Sequence, residues 1–137
     1  MRLTFSATAP HWLRRLTRRW VRRLGLGEWR IETTWEDAED YAAENGEDVS
    51  GTSLAYPEYF SAHIAYPDCL PNDEHTADTV LHELRHLHYA AISNLPDHCW
   101  DGRRRVSRAH AHRMFDELIE RLIQQDVTIL RKAYRDK

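Results

Sequence analysis

The chain has 137 residues and a mass of 16.2 kDa, near the commonest size for one domain and enough to bury about two thirds of its unfolded surface in a single core. Hydrophobic residues make up 42% and charged residues 30%, with five Gly and five Pro, a globular composition that excludes disordered, collagen-like and multidomain architectures. No apolar run approaches the roughly 18 residues of a membrane span, and the charged N-terminal stretch lacks the apolar segment of a secretory signal, so a cytoplasmic location is expected. The two cysteines, Cys69 and Cys99, stand in no CxxC spacing and read as buried thiols.

The net charge of −3 conceals a segregation: residues 1–30 carry +7, residues 31–84 carry −14 with no Lys or Arg, and residues 85–137 carry +4. Either the basic part meets an acidic or nucleic-acid partner, or the segments neutralise one another within the fold.

From Pro10 to Leu24 the apolar Leu13, Leu16, Trp20 and Leu24 recur at three- and four-residue steps among six Arg, which predicts one amphipathic helix ended by Gly25 and Gly27. Trp29, Ile31, Thr33 and Trp35 alternate with polar residues as in a strand with one wet face. Residues 36–48 read as an acidic connection with a turn at Asn45-Gly46, followed by strands over Val49 to Tyr56 and Tyr59 to Tyr66, the second presenting Phe60, Ala62, Ile64 and Tyr66 to the core. Asn72 or Asp73 can cap a helix whose apolar stripe is Ala77, Val80, Leu81, Leu84, Leu87, Ala91 and Ile92, ending near Asn94 before Pro96. A last helix is expected from about Arg104 to Tyr134. The order predicts one small α+β domain over residues 1–137, with a short, mostly antiparallel three-stranded sheet and loose ends at 1–9 and 135–137.

His82-Glu83-Leu84-Arg85-His86 is HExxH on that helix. Four residues is just over one turn, so His82 and His86 project from one side and can converge on a Zn2+, with Glu83 beside the water that zinc activates. Glu83 would take the proton during attack on a carbonyl and pass it to the leaving amine.

Thr79-Val80-Leu81-His82-Glu83-Leu84-Arg85-His86-Leu87 resembles the active-site helix of zincin metallopeptidases. The first helix leading into residues 24–31, an edge strand over Ser61 to Ala65 and a final helix resemble the minimal single-domain zincins (minigluzincin-like) of phage and prokaryotes, over about residues 12–125. The resemblance implies a zinc-dependent hydrolase of peptide bonds, with peptide or protein as substrate and a third ligand from a later helix. In gluzincins that ligand is a Glu followed by apolar residues three and six positions on. Asp116, with Ile119 and Leu122, fits this register and borders a core stripe of Phe115, Leu118, Ile119 and Leu122; Glu117 fits it less well. His98 is the alternative, because SprT-like proteases take a third His from a loop and Asp97-His98-Cys99-Trp100 faintly echoes it. His112 is a further candidate ligand or supporting donor.

The remaining candidates each have a plain structural reading. His88 points elsewhere on the helix, Tyr89 can line the pocket or pack in the core, and Tyr56 and His63 lie on candidate edge strands of the kind that pair with extended substrate. The Arg-rich first helix, with Trp12 and Trp20 nearby, carries the charge footprint of a nucleic-acid binder, or packs its Leu/Trp stripe and leaves Arg to solvent; Arg103, Arg104 and Arg105 repeat the ambiguity. Two alternatives to a general metallopeptidase therefore stand beside it. One is a zincin-fold binding module docking nucleic acid or an acidic protein through that helix. The other is a repressor-cleaving protease similar to the ImmA/IrrE type.

Overall fold

The computed structural model describes residues 2–93 and 108–135. In chain order these form β1 (Arg2–Phe5), α1 (His11–Arg23), β2 (Arg30–Glu36), α2 (Ala38–Asn45), β3 (Thr52–Tyr56), a 3-10 turn (Pro57–Tyr59), β4 (Ser61–Pro67), α3 (Glu74–Ser93) and α4 (Arg108–Ala133). The class is α+β, as expected, but the sheet is not the three-stranded, mostly antiparallel one. Among the described residues it has four strands in the order β1-β2-β4-β3, with β1 and β4 parallel to β2 and β3 antiparallel to β4.

The additional strand, β1, lies within the stretch read as a loose N-terminal end. Four residues carry too little periodicity to announce a strand, and pairing with β2, Leu3 beside Ile31 and Phe5 beside Thr33, creates it. The parallel pairing follows from the α1 crossover between the two strands. Strand β4 is interior and β3 is the edge, so Ser61 to Ala65 is not the edge strand; His63 stands on the open sheet face with its Nε2 2.6 Å from the Thr34 hydroxyl. The acidic connection contains α2, capped by Asp37, whose carboxylate accepts from the N–H groups of Glu39 and Asp40, and ended at Gly46 with φ +95°. It is short and buries chiefly Tyr41, leaving no repeated stripe to read. Cys69 is exposed rather than buried.

One side of the sheet and three helices share the core. Ile31, Ala62 and Ile64 pack with Leu13, Trp20 and Val21 of α1, with Val80, Leu81, Leu84 and Leu87 of α3, and with Ile119, Ile123 and Val127 of α4. Burying each such aliphatic side chain contributes about 1.5–3 kcal/mol before entropy is counted. Asp73 caps α3, its carboxylate accepting from the Thr76 N–H at 2.8 Å, as the sequence suggested. Two side chains depart from expectation. Phe60 is half exposed with φ +49°, and Leu118 is half exposed because the buried stripe of α4 runs through Ile119, Ile123 and Val127. No described helix is long and apolar enough to cross a membrane.

A polar relay ties α1, α3 and α4 together. His88 Nε2 lies 3.0 Å from the Leu24 carbonyl, and Arg85 Nη1 lies 3.0 Å from His88 Nδ1. The Arg85 guanidinium also pairs with Asp126, which accepts from Tyr89 at 2.8 Å as well. The carbonyl can only accept, so Nε2 carries the proton and Nδ1 accepts from Arg85. Burial and the Arg85 charge both lower the pKa of His88, which suits this neutral form. Burial by itself would raise the pKa of Asp126, but hydrogen bonds from Arg85 and Tyr89 and the Arg85 charge outweigh it and hold it below the ordinary range.

Because that pKa is depressed in the folded state, the stabilisation is complete above the unfolded value near 3.8 and is lost as pH falls through the lower folded value. Asp126→Asn should therefore cost about 1–3 kcal/mol at pH 7. Urea melts of both proteins between pH 7 and pH 2.5 should show the difference shrinking at the acid end.

Candidate metal centre

Helix α3 buries Val80, Leu81, Leu84 and Leu87, and the 100° step of a helix then turns His82 and His86 toward α4. Their Nε2 atoms lie 3.2 Å apart. Helix α4 brings Glu120 against both, with Oε2 3.0 Å from His82 Nε2 and Oε1 2.9 Å from His86 Nε2. The three side chains place one donor atom each within 4.8 Å of one another, and among the described residues they form the group able to hold a metal ion.

The donor set fits zinc. Two neutral imidazoles and a carboxylate are a catalytic-site combination that leaves a position open, and bonds of about 2.0–2.1 Å in a tetrahedron put donors about 3.3 Å apart. The Nε2–Nε2 separation of 3.2 Å lies close to that edge, while the 3.0 and 2.9 Å contacts are made by the two different oxygens of Glu120. Burial lowers the pKa of His86, reinforced by His82 and opposed by Glu120, and so favours the neutral ring that ligates metal.

The gluzincin-like register pointed to Asp116 as the third ligand, but the carboxylate that stands against both imidazoles is that of Glu120. Asp116 is exposed one turn earlier on α4, near enough for its charge to act on His86 but outside the group of three. The apolar stripe of α4 lies roughly a quarter turn from the one expected, as buried Ile119, Ile123 and Val127 and exposed Leu118 show. Glu120 meets the apolar requirement three residues on, at Ile123, and fails it six residues on, where Asp126 pairs with Arg85 instead of packing. The available signal was the 119-123-127-130-134 repeat, whose flank holds Glu120. Glu117 is exposed and His112 half-buried, and neither joins the group. His98, Cys99 and Arg103 to Arg105 lie outside the described residues.

Glu83 is almost fully buried beside this group. Burial pushes its carboxyl up to about 7, with Glu120 adding to the rise and a hydrogen bond from Ser53 opposing it. Its neighbours are Tyr66 and Gly51: a Cβ on Gly51 would lie 3.0 Å from Glu83 Cγ and 3.2 Å from the Tyr66 ring. The sequence reading missed Gly51 and Ser53, which sit at the start of β3 and are remote from HExxH in the chain. Beyond Glu83 a cleft of about 270 Å3 runs between α3, α4 and the segment before β3, lined by Ser50, His75, Asp78, Thr79 and Gln124. The Asp78–Arg131 ion pair, at 2.7 Å, joins α3 to α4 near its far end.

The other candidates have structural partners. Tyr89 and His88 belong to the Arg85 relay. On α1, Arg14 donates to the carbonyls of Ser6 and Ala9, Arg18 lies over Phe5, and Arg23 lies over Trp20 and Tyr134. Trp12 packs edge-on against Trp35, and Trp20 is buried. No protein-family model, curated protein or solved structure matches this chain.

Metal titration separates the two acids of α4. Glu120→Ala should weaken zinc binding by at least about 100-fold, whereas Asp116→Ala should change it by less than about 5-fold; calorimetric titration of the metal-free proteins checks both. Gly51→Ala must displace Glu83 or the Tyr66 ring, and should cost about 1–3 kcal/mol in a thermal or urea melt.

Proposed function

We propose that this protein is a zinc-dependent metallopeptidase of minimal zincin type, with His82, His86 and Glu120 as metal ligands and Glu83 as general base. The observation that carries the reading is the convergence of the HExxH imidazoles and a carboxylate from α4 within hydrogen-bond distance, beside a buried acid. Zinc at this position would supply a Lewis acid that polarises the scissile carbonyl and acidifies water. Glu83 accepts the proton of the attacking water and delivers it to the amine nitrogen as the C–N bond breaks. Its burial against Gly51 and Tyr66 confines the carboxylate to one position, and Ser53 orients it.

Strand β3 supports a peptide as the substrate. Among the described residues it pairs with β4 on one side only, so its other edge can offer N–H and C=O groups to an extended chain beside Glu83. An extended chain can bind there by strand addition and present its carbonyl to the site. The cleft past His75 and Asp78 leaves room for the chain to continue.

Zinc-loaded wild type should cleave peptides. Glu83→Gln should keep its zinc and lose hydrolysis by about 10^2–10^4-fold, while the double variant His82→Ala/His86→Ala should lose both. Cleavage undiminished in Glu83→Gln, or zinc content unchanged in the double variant, refutes the assignment.

A further inference from the structure

Helix α1 carries a basic ridge that the metal centre does not use. Leu13, Thr17, Trp20 and Val21 are its buried side, and its exposed residues are His11 and the arginines Arg15, Arg18, Arg19 and Arg22. The helix contains no acidic residue. Spacings of three, four and seven residues set the four arginines on one ridge about 10 Å long. The pairs Arg15–Arg18, Arg15–Arg19, Arg18–Arg22 and Arg19–Arg22 are close enough to repel one another, and among the described residues no ion pair to Arg15, Arg19 or Arg22 relieves that repulsion. With Arg23 they line a hollow of about 380 Å3, and no other residue type contributes to its wall. Two of the five guanidiniums are held in place by rings: Arg18 lies 5.4 Å over Phe5, and Arg23 lies 5.0 Å over Trp20 and 4.3 Å over Tyr134.

The chemistry of the ridge selects its occupant. Guanidinium forks match phosphate oxygens in charge and shape. Phosphates follow one another at about 3.4 Å of axis along each strand of a duplex, so a 10 Å ridge faces about three on one strand. An acidic protein would need apolar or aromatic anchors for a stable interface, and none of the exposed positions of α1 supplies one. An anionic bilayer is disfavoured twice over. The apolar side of α1 is already buried and cannot enter lipid, and a flat surface would press on Asp73 and Glu74, which share a hollow with Arg15 and Arg19. Single strands are bound through rings on which bases stack; here Trp20 is buried and Trp12 packs against Trp35. A duplex, read through its backbone, fits what remains.

We infer that Arg15, Arg18, Arg19, Arg22 and Arg23 form a docking surface for the phosphate backbone of a nucleic-acid duplex, bound without readout of its bases. The surface shares no residue with the candidate metal centre, so it stands or falls independently of the peptidase reading.

The test is fluorescence anisotropy of full-length protein with two labelled twenty-base-pair DNA duplexes of unrelated sequence, between about 50 and 200 mM salt. Wild type should bind both alike, with log affinity falling against log salt at a slope of about −3 to −4, as expected for roughly four phosphate contacts. One strand alone should bind at least about 3-fold more weakly, because its charge density is lower. Arg19 and Arg22 are exposed, so Arg19→Gln/Arg22→Gln should keep the melting temperature and zinc content of wild type. It should nevertheless make the slope shallower by about 2 and weaken binding at the lowest salt by at least about 10-fold. Arg19→Lys/Arg22→Lys, which keeps the charge, should retain the slope. Vesicles of phosphatidylserine and phosphatidylcholine and an oligoglutamate peptide are the competing partners. No binding to either duplex, a slope unchanged by the Gln pair, a marked preference for one sequence, or tighter binding to the single strand, the vesicles or the peptide overturns the inference.

Discussion

The burial of one face of α3 is the constraint on which the rest of the site depends. Val80, Leu81, Leu84 and Leu87 are 0–2% exposed, and with those four held in the core the helix cannot rotate without exposing a large apolar area. The remaining directions are then assigned. His82 and His86 look toward α4, Glu83 looks into the pocket between Gly51 and Tyr66, and Arg85 reaches Asp126. Three different placements follow from one five-residue segment because a helix distributes successive side chains at 100° intervals.

The Arg85–Asp126 pair supplies the second constraint, the register of α4 against α3. Its partners Tyr89 and His88 belong to α3, and His88 passes the connection to the end of α1 through the Leu24 carbonyl. Glu120 lies six residues before Asp126 on the same helix, so the contact that holds Asp126 also sets the depth at which Glu120 meets the imidazoles. Asp126 lies beside the 119-123-127-130-134 repeat, where a charged residue reads from sequence as an ordinary solvated position, and here it aligns the two helices.

The charge segregation acquires a local meaning. Several α1 guanidiniums serve the fold, capping carbonyls or lying over Phe5, Trp20 and Tyr134, where delocalised charge and a planar shape suit stacking. The Arg-free segment supplies β3, α2 and most of α3, and so the walls of the candidate metal centre. A cleft walled by that segment favours a cation. Among the described residues Glu83 is its buried acid, and burial against Tyr66 and Gly51 raises the pKa.

Much of the local structure was legible because it depends on short-range periodicity. The α1 stripe, the β2 alternation, the Asp73 cap of α3 and the HExxH pairing all rest on contacts within about one helical turn or on alternation along one strand. The α+β class followed from the order of those elements. What only the tertiary structure decided were pairings between distant segments. They are the strand made of residues 2–5, the interior place of β4, the meeting of Glu120 rather than Asp116 with the imidazoles, and the approach of Gly51 to Glu83. Each depends on how two elements meet across the core. A sequence specifies which face an element buries, but the rotation and depth of its partner come from packing and from pairs such as Arg85 and Asp126, forty-one residues apart.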